Sequence, residues 1–310
     1  MELRKIISFG NSSYVISLPK AWVVRNRLKK GDLIEVDEKP TELTLAAQDK
    51  GERKTAMETT IESGSKSSAR LESEIVSAYL SNYNIIIING LEGKERHAEV
   101  KKVLDGLMGM EIIEETAAKI MVKDLLDITE VSLDKIIRRV DILTRTMYTD
   151  ALLSGRAVDV TERDEEVNRQ AFLGYRVVKA AFDNPRIAKT FEMSNIDLLL
   201  ARRVLTHIEH FADDLKRMSR VVSRSPEAGK GFSKIYKLIY DKYLEVMKIY
   251  YTQDKESAFR IGPEIKKLFA ESEKPLKRCR DLDSARIVEH LKGMINAVSV
   301  IQRCVTDYRY

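Results

Sequence analysis

The sequence predicts a multidomain α+β protein in three parts: a small β-barrel head shared between two copies, a small α/β segment, and a six-helix bundle of two three-helix repeats. Three observations predict it. Short alternating apolar runs broken by Gly turns fill residues 1–47. A buried-strand run, "YNIIIING", stands between helical patterns around residues 71–127. From residue 129 to 310 the apolar spacing is helical throughout, and two of the helices repeat one another.

Composition bounds the function. A chain of 310 residues suits two or three domains. Apolar residues make up 44% and charged residues 33%, a globular and slightly charge-rich mix. The strongest apolar run, Ile85 to Leu91, is far too short to span a bilayer, so no membrane insertion is expected. Met1 to Lys5 lead straight into a strand pattern rather than a signal sequence, and a cytoplasmic location is expected. Cys279 and Cys304 fall in helical patterns with no CxxC spacing, which reads as reduced core thiols. The net charge of +5 is mild; its distribution is more telling.

No acidic residue lies between Glu2 and Asp32, where Arg4, Lys5, Lys20, Arg25, Arg27, Lys29 and Lys30 cluster. Leu3 to Phe9 alternate as a short strand, Gly10-Asn11 supplies a turn, and Tyr14 to Leu18 give a second strand. Pro19 suits a first helical turn. "LKKGDLIEV" and "ELTLAA" add two more strands. So small a unit buries a marginal core alone. A second copy is expected to close the barrel, giving a homodimer whose two positive edges suit pseudo-palindromic double-stranded DNA. Trp22, the only Trp, is expected in the core or the dimer interface.

"RKIISFGNSSYVISLPKAWVVRNRLKKGDLIEV" resembles the SpoVT/AbrB (MazE-type) swapped-hairpin DNA-binding domain. The matching pieces are the basic first strand, Gly10-Asn11-Ser12, the apolar-Pro19-Lys20 step and Leu28-Lys29-Lys30-Gly31-Asp32. The resemblance implies DNA contacts from Arg4, Lys5, Asn11, Ser12, Lys20 and Arg25. Arg and Lys would meet phosphates, and Asn11 or an Arg would read base edges.

Residues 48–70, with "SGSKSS" at Ser63 to Ser68, read as a linker. Residues 71–127 read as helix, strand, helix and two strands, a spacer or dimerisation module without a Gly-rich phosphate loop. Beyond residue 129, breaks near Gly155, Asn184-Pro185, Ser223 to Gly231, Thr252 to Lys255 and Arg280 to Ser284 delimit six helices, with repeats at about 129–223 and 229–310. "THIEHFADDLKRM" aligns with "EHLKGMINAVSVI", matching His207 to His290, Ile208 to Leu291, Phe211 to Met294 and Leu215 to Val298.

Two three-helix repeats resemble the PhoU family of phosphate-uptake regulators, most closely at Glu162 to Arg169 and Leu205 to Ser219. That family often carries carboxylate clusters that hold metal. Here Glu209 and Asp213, and likewise His210 and Asp214, share a helix face, but the second repeat has Lys292, Gly293, Asn296 and Ala297 at the matching positions. His207, Glu209, His210, Asp213 and Asp214 are therefore the candidate ligands for one divalent transition metal, such as Zn, Fe, Ni or Mn. Asp164 to Glu166 could add ligands from the second helix, or favour a helix's first turn. The alternative is a solvated face on which Glu209 pairs with Lys216 or Arg202, and Asp213 with Arg217.

The resemblances together imply a cytoplasmic, prokaryotic, archaeal-type regulator of transcription in phosphate uptake and homeostasis, whose helical part senses phosphate status. The alternative is an adaptor that docks on a phosphate transporter or signalling kinase, with the head only dimerising it. No nucleophile elbow, P-loop, HExxH or Ser-His-Asp order is present, so an enzyme is not expected.

Overall fold

The computed structural model describes residues 3–10, 12–47, 57–153, 157–277 and 281–307, and divides into two compact units, Met1–Thr55 and Ala56–Tyr310. Described helices, short sheets and a helical C-terminal half make it a mixed α+β protein.

The first unit contains β1 (Ile7–Phe9), β2 (Ser13–Val15), α1 (Lys20–Arg25), β3 (Ile34–Lys39) and β4 (Glu42–Ala47). β1 and β2 are antiparallel, with Phe9 opposite Ser13. Gly10 turns the chain at φ +67°, a left-handed conformation that costs a Cβ-free residue nothing. Pro19 precedes α1 in extended conformation and its carbonyl accepts from the Val23 amide at 3.1 Å, starting the helix. β3 and β4 form a second, separate antiparallel pair. Among the described residues of one chain, the two hairpins do not join into a closed barrel.

The second unit opens on β5 (Glu58–Glu62), followed by α2 (Ser68–Leu80), β6 (Ile85–Asn89), α3 (Gly93–Asp105), β7 (Met110–Glu115) and β8 (Lys119–Asp124). They form one sheet in the order β5-β6-β8-β7, with β5 parallel to β6 and the other neighbours antiparallel. This revises the expected linker over 48–70, because β5 lies inside it. Thr59 and Ile61 point inward and Glu58, Thr60 and Glu62 outward, an alternation hidden by its Thr and Glu content. Ile61, Ile75, Tyr79, Ile86, Ile88, Val100, Leu104, Ile120 and Val122 make a core between the sheet and α2 and α3.

The segment is fastened to the helices by a buried ion pair. Arg176 of the long second helix and Asp124 of β8 have side chains 1% and 3% exposed. Arg176 Nη2 and Nη1 both donate to that carboxylate, Nε donates to Asn82 Oδ1 at 3.0 Å, and the guanidinium lies 4.7 Å over the Tyr79 ring.

The helices are α4 (Leu133–Leu153), α5 (Ala157–Asp183), α6 (Pro185–Thr190), α7 (Asn195–Arg224), α8 (Pro226–Lys230), α9 (Ser233–Thr252), α10 (Lys255–Glu273) and α11 (Leu282–Asp307). The six long ones fall where the sequence breaks predict. The short α6 and α8 occupy two of the connections, and the expected break at Gly155 lies outside the described residues. A Ser194/Asp197 capping box starts α7, and the Asp254 carboxylate accepts from the Ser257 amide at 3.0 Å to start α10.

α4, α5 and α7 pack as one set, α9, α10 and α11 as another, and α7 against α11 joins them. Arg203 with Asp307, Asp214 with His290 and Arg224 with Asp283 show that this seam is antiparallel. The aligned apolar positions Ile208 and Leu291, Phe211 and Met294, and Leu215 and Val298 are all fully buried. A Cβ on Gly293 would meet Asp214 Oδ2 at 1.9 Å, so glycine permits the close approach. A second tie crosses from α4 to α9. Buried Asp141 accepts from Arg145 Nε and Nη2 at 2.8 and 2.7 Å and from the Tyr243 and Tyr251 hydroxyls at 2.9 Å each. Cys304 is buried in α11, its thiol pushed up to about 11 by burial; Cys279 lies outside the described residues. No helix among the described residues is long and apolar enough to cross a membrane.

Removing one partner of the Arg176–Asp124 pair strands a buried charge. Asp124→Ala is expected to cost about 3 kcal/mol or more in a denaturant titration. A cost under about 1 kcal/mol would show that water or another acid takes over the guanidinium.

Candidate functional site

Two sites were expected, one in each unit. In the head, Lys5, Ser12, Lys20 and Arg25 are exposed. Lys20 opens α1 and Arg25 stands in its last turn. Arg4 is exposed, and its Nη1 donates to Ser17 Oγ at 3.1 Å beside the β1–β2 hairpin. Ser12 follows the Gly10 turn, and Asn11 lies outside the described residues. Asp32, the acid that closes this stretch, accepts from the Lys29 amide through Oδ2 at 2.6 Å.

The same unit is unusual in its apolar surface. None of its described residues is buried. Leu3 is 93% exposed, Phe9 70% and Tyr14 76%; Ile6, Val24 and Leu33 are also largely in water. Trp22 is half-buried. Burying such a side chain is worth about 1.5–3 kcal/mol, so this surface strongly favours being covered.

The helical candidates do not converge. Among the described residues, no three His, Cys, Asp or Glu side chains are placed to hold a metal ion. The Arg203 carbonyl lies 2.8 Å from His207 Nδ1 and can only accept, so that nitrogen carries the proton. Burial lowers the His207 ring below its ordinary value. The His210 ring stands edge-on to it, 5.4 Å away, and is more than half exposed, 3.8 Å from Glu209. Burial pushes the Glu209 carboxyl up. Asp213 is held by Lys216 at 2.9 Å and Arg217 at 3.1 Å, and Asp214 turns away to His290 of α11 at 3.1 Å. The Asp213–Arg217 pair is the one the solvated-face alternative anticipates. So placed, these residues do not fit a metal centre.

The arrangement does bring together the two stretches singled out on the second and third helices. Asp164 of α5, with a side chain 4% exposed, is bridged to Asp213 of α7 by the Lys216 ammonium. Desolvation pulls Lys216 down, but its hydrogen bonds to Asp164 and Asp213 outweigh that and raise it, so it stays charged. The chain thus supplies its own cation to this carboxylate pair. Asp164 Oδ1 has no hydrogen-bond partner. The spacing shows Asp213 and Lys216 one turn apart, but nothing in it shows that a helix 52 residues upstream delivers a second acid to the same ammonium.

Compared with protein-family models, curated proteins and solved structures, the chain matches none.

Lys216→Met leaves Asp164 buried without its cation and is expected to destabilise the protein by about 3 kcal/mol; adding Asp164→Asn should recover part of that loss, giving a non-additive thermal or denaturant cycle. The His207 ring supplies a pH test. Its folded pKa lies below the ordinary 6.5, so the unfolded chain binds the proton first as pH falls. Its contribution is present above that value and is lost as the pH falls from there toward the lowered one. His207→Gln should therefore flatten the melting temperature against pH just below 6.5.

Proposed function

We propose that the chain is a DNA-binding regulator of transcription that works as a homodimer in the cytoplasm. Two copies of the head interlock their hairpins into one barrel, and the helical unit responds to phosphate status. The observation that carries this reading is the coincidence in one unit of a coreless apolar surface and an uninterrupted set of cations. A second copy covers the first and leaves the second facing outward, spaced by the two-fold axis. Lys20, Arg25, Arg4 and Lys5 then meet phosphates, and the Gly10 hairpin carries Asn11 and Ser12 toward the duplex. Affinity is mainly electrostatic and falls steeply with salt.

The SpoVT/AbrB and PhoU resemblances support the pairing of a DNA-gripping head with a phosphate-responsive bundle. The two antiparallel helical sets joined by α7 and α11 accord with the second of these. An effector acts on such a dimer only through differential affinity for two arrangements of it.

Lys20→Glu with Arg25→Glu in the full chain is expected to lower affinity for the protein's own promoter fragments at least tenfold, and to reduce the salt slope by about 2, without changing the dimer in sedimentation. Unchanged DNA affinity would favour the adaptor reading, in which the head serves only to join two chains.

A further inference from the structure

The sheet of the second unit has one covered and one open face. α2 and α3 meet it through Ile61, Ile86, Ile88, Ile120 and Val122. On the opposite face Ile85, Ile87 and Met121 are half-buried, belong to neither apolar core, and are not among the residues packed against one.

The registers of β5, β6 and β8 set that open face in rows. Glu58, Ile85 and Lys123 share one row. Thr60, Ile87 and Met121 share the next, and Glu62, Asn89 and Lys119 the third. Acid therefore lines β5, base stands on β8 and isoleucine between them, while Glu111 and Glu114 of β7 continue the first two rows beyond β8. We propose that this face pairs with the same face of a second copy of the chain, about a two-fold axis running along β6.

The symmetry does the work. A two-fold along β6 lays β5 of one copy over β8 of the other while preserving position along the strands. Glu58 then faces the second copy's Lys123, Glu62 faces its Lys119, Thr60 faces its Met121, and Ile85 and Ile87 face themselves. Turning the copy about an axis across the strands instead sets Glu over Glu and Lys over Lys, so the charges select one orientation. Sheets pack about 10 Å apart with a modest rotation, a gap that Glu and Lys side chains reaching from both sides bridge. The outer row carries most of the bias: Lys119 is already paired with Glu114 at 2.6 Å and Glu62 accepts from Asn89 at 3.1 Å, whereas Glu58 and Lys123 have no ion pair among the described residues.

Size sets the strength. About a two-fold along β6 three strands overlap, β5, β6 and β8, and five residues of each present a face of about 240 Å². A pair buries about twice that, well below the area of a stable free-standing dimer. The face therefore closes within a dimer already joined through the heads, where the effective concentration of the second copy is high. In this the inference rests on the head pairing proposed above.

The test uses full-length protein. Light and heavy isotope-labelled chains are unfolded together, refolded, and treated with a carbodiimide, which joins a carboxylate to an amine only in direct contact. Glu58–Lys123 cross-links are expected, about half of them between a light and a heavy peptide, as random two-fold pairing requires. Ile87→Glu, an outward residue whose change leaves the inner core intact, sets two carboxylates together on the axis and should remove those links without altering the circular dichroism. Three outcomes overturn the pairing: links within single chains only, Glu58 joined to a head lysine, or a yield indifferent to Ile87→Glu. Sedimentation separates the two proposals. A dimer without mixed links overturns the sheet pairing alone, and a monomer at micromolar concentration overturns both.

Discussion

The body of this protein hangs on the antiparallel seam between α7 and α11. Each helix belongs to its own set of three, and each turns a continuous apolar stripe toward the other and toward its set. Ile208, Phe211 and Leu215 on one side, and Leu291, Met294 and Val298 on the other, are wholly removed from water. The other four long helices, α4, α5, α9 and α10, each pack onto one of these two. Gly293 leaves room for the Asp214 side chain beside His290, one of three polar pairs that cross this joint with Arg203–Asp307 and Arg224–Asp283. Dense packing of this kind does not deform by degrees. A signal that shifts one helix of the seam is therefore carried to both sets.

The two units solve the burial problem differently. The second encloses two apolar cores and bolts them together with the Arg176–Asp124 pair. A few of its charges are spent internally: Lys216 between two acids, Asp141 under two tyrosine hydroxyls and an arginine. The first encloses nothing and keeps its cations at the surface. A unit that leaves its apolar side chains in water gains free energy from any surface that covers them.

What the sequence showed, it showed through periodicity and turn chemistry. The six long helices, the four head strands and the β6–α3–β7–β8 run were legible because apolar spacing and Gly or Pro breaks are local signals. β5 was not, since exposed Thr60 and Glu62 flank its one buried isoleucine and the run resembles a polar tether. The candidate ligand set failed for a different reason. Helical spacing put Glu209 and Asp213 on one face, but partner choice is decided by neighbours from elsewhere. His290 arrives from α11 to engage Asp214, and Asp164 arrives from α5 to share Lys216. Asp124 and Arg176 lie 52 residues apart on a strand and a helix, and no local pattern joins them.

Cys304 gives the seam a built-in reporter. Its sulfur is sealed inside α11, and the raised thiol pKa leaves almost none of it as the thiolate that reacts with oxidants or alkylating reagents. While the joint is closed this site is chemically silent, and it becomes modifiable only when the last helix lifts away. The rate at which Cys304 is capped under native conditions is thus a clock for the opening of the helical body.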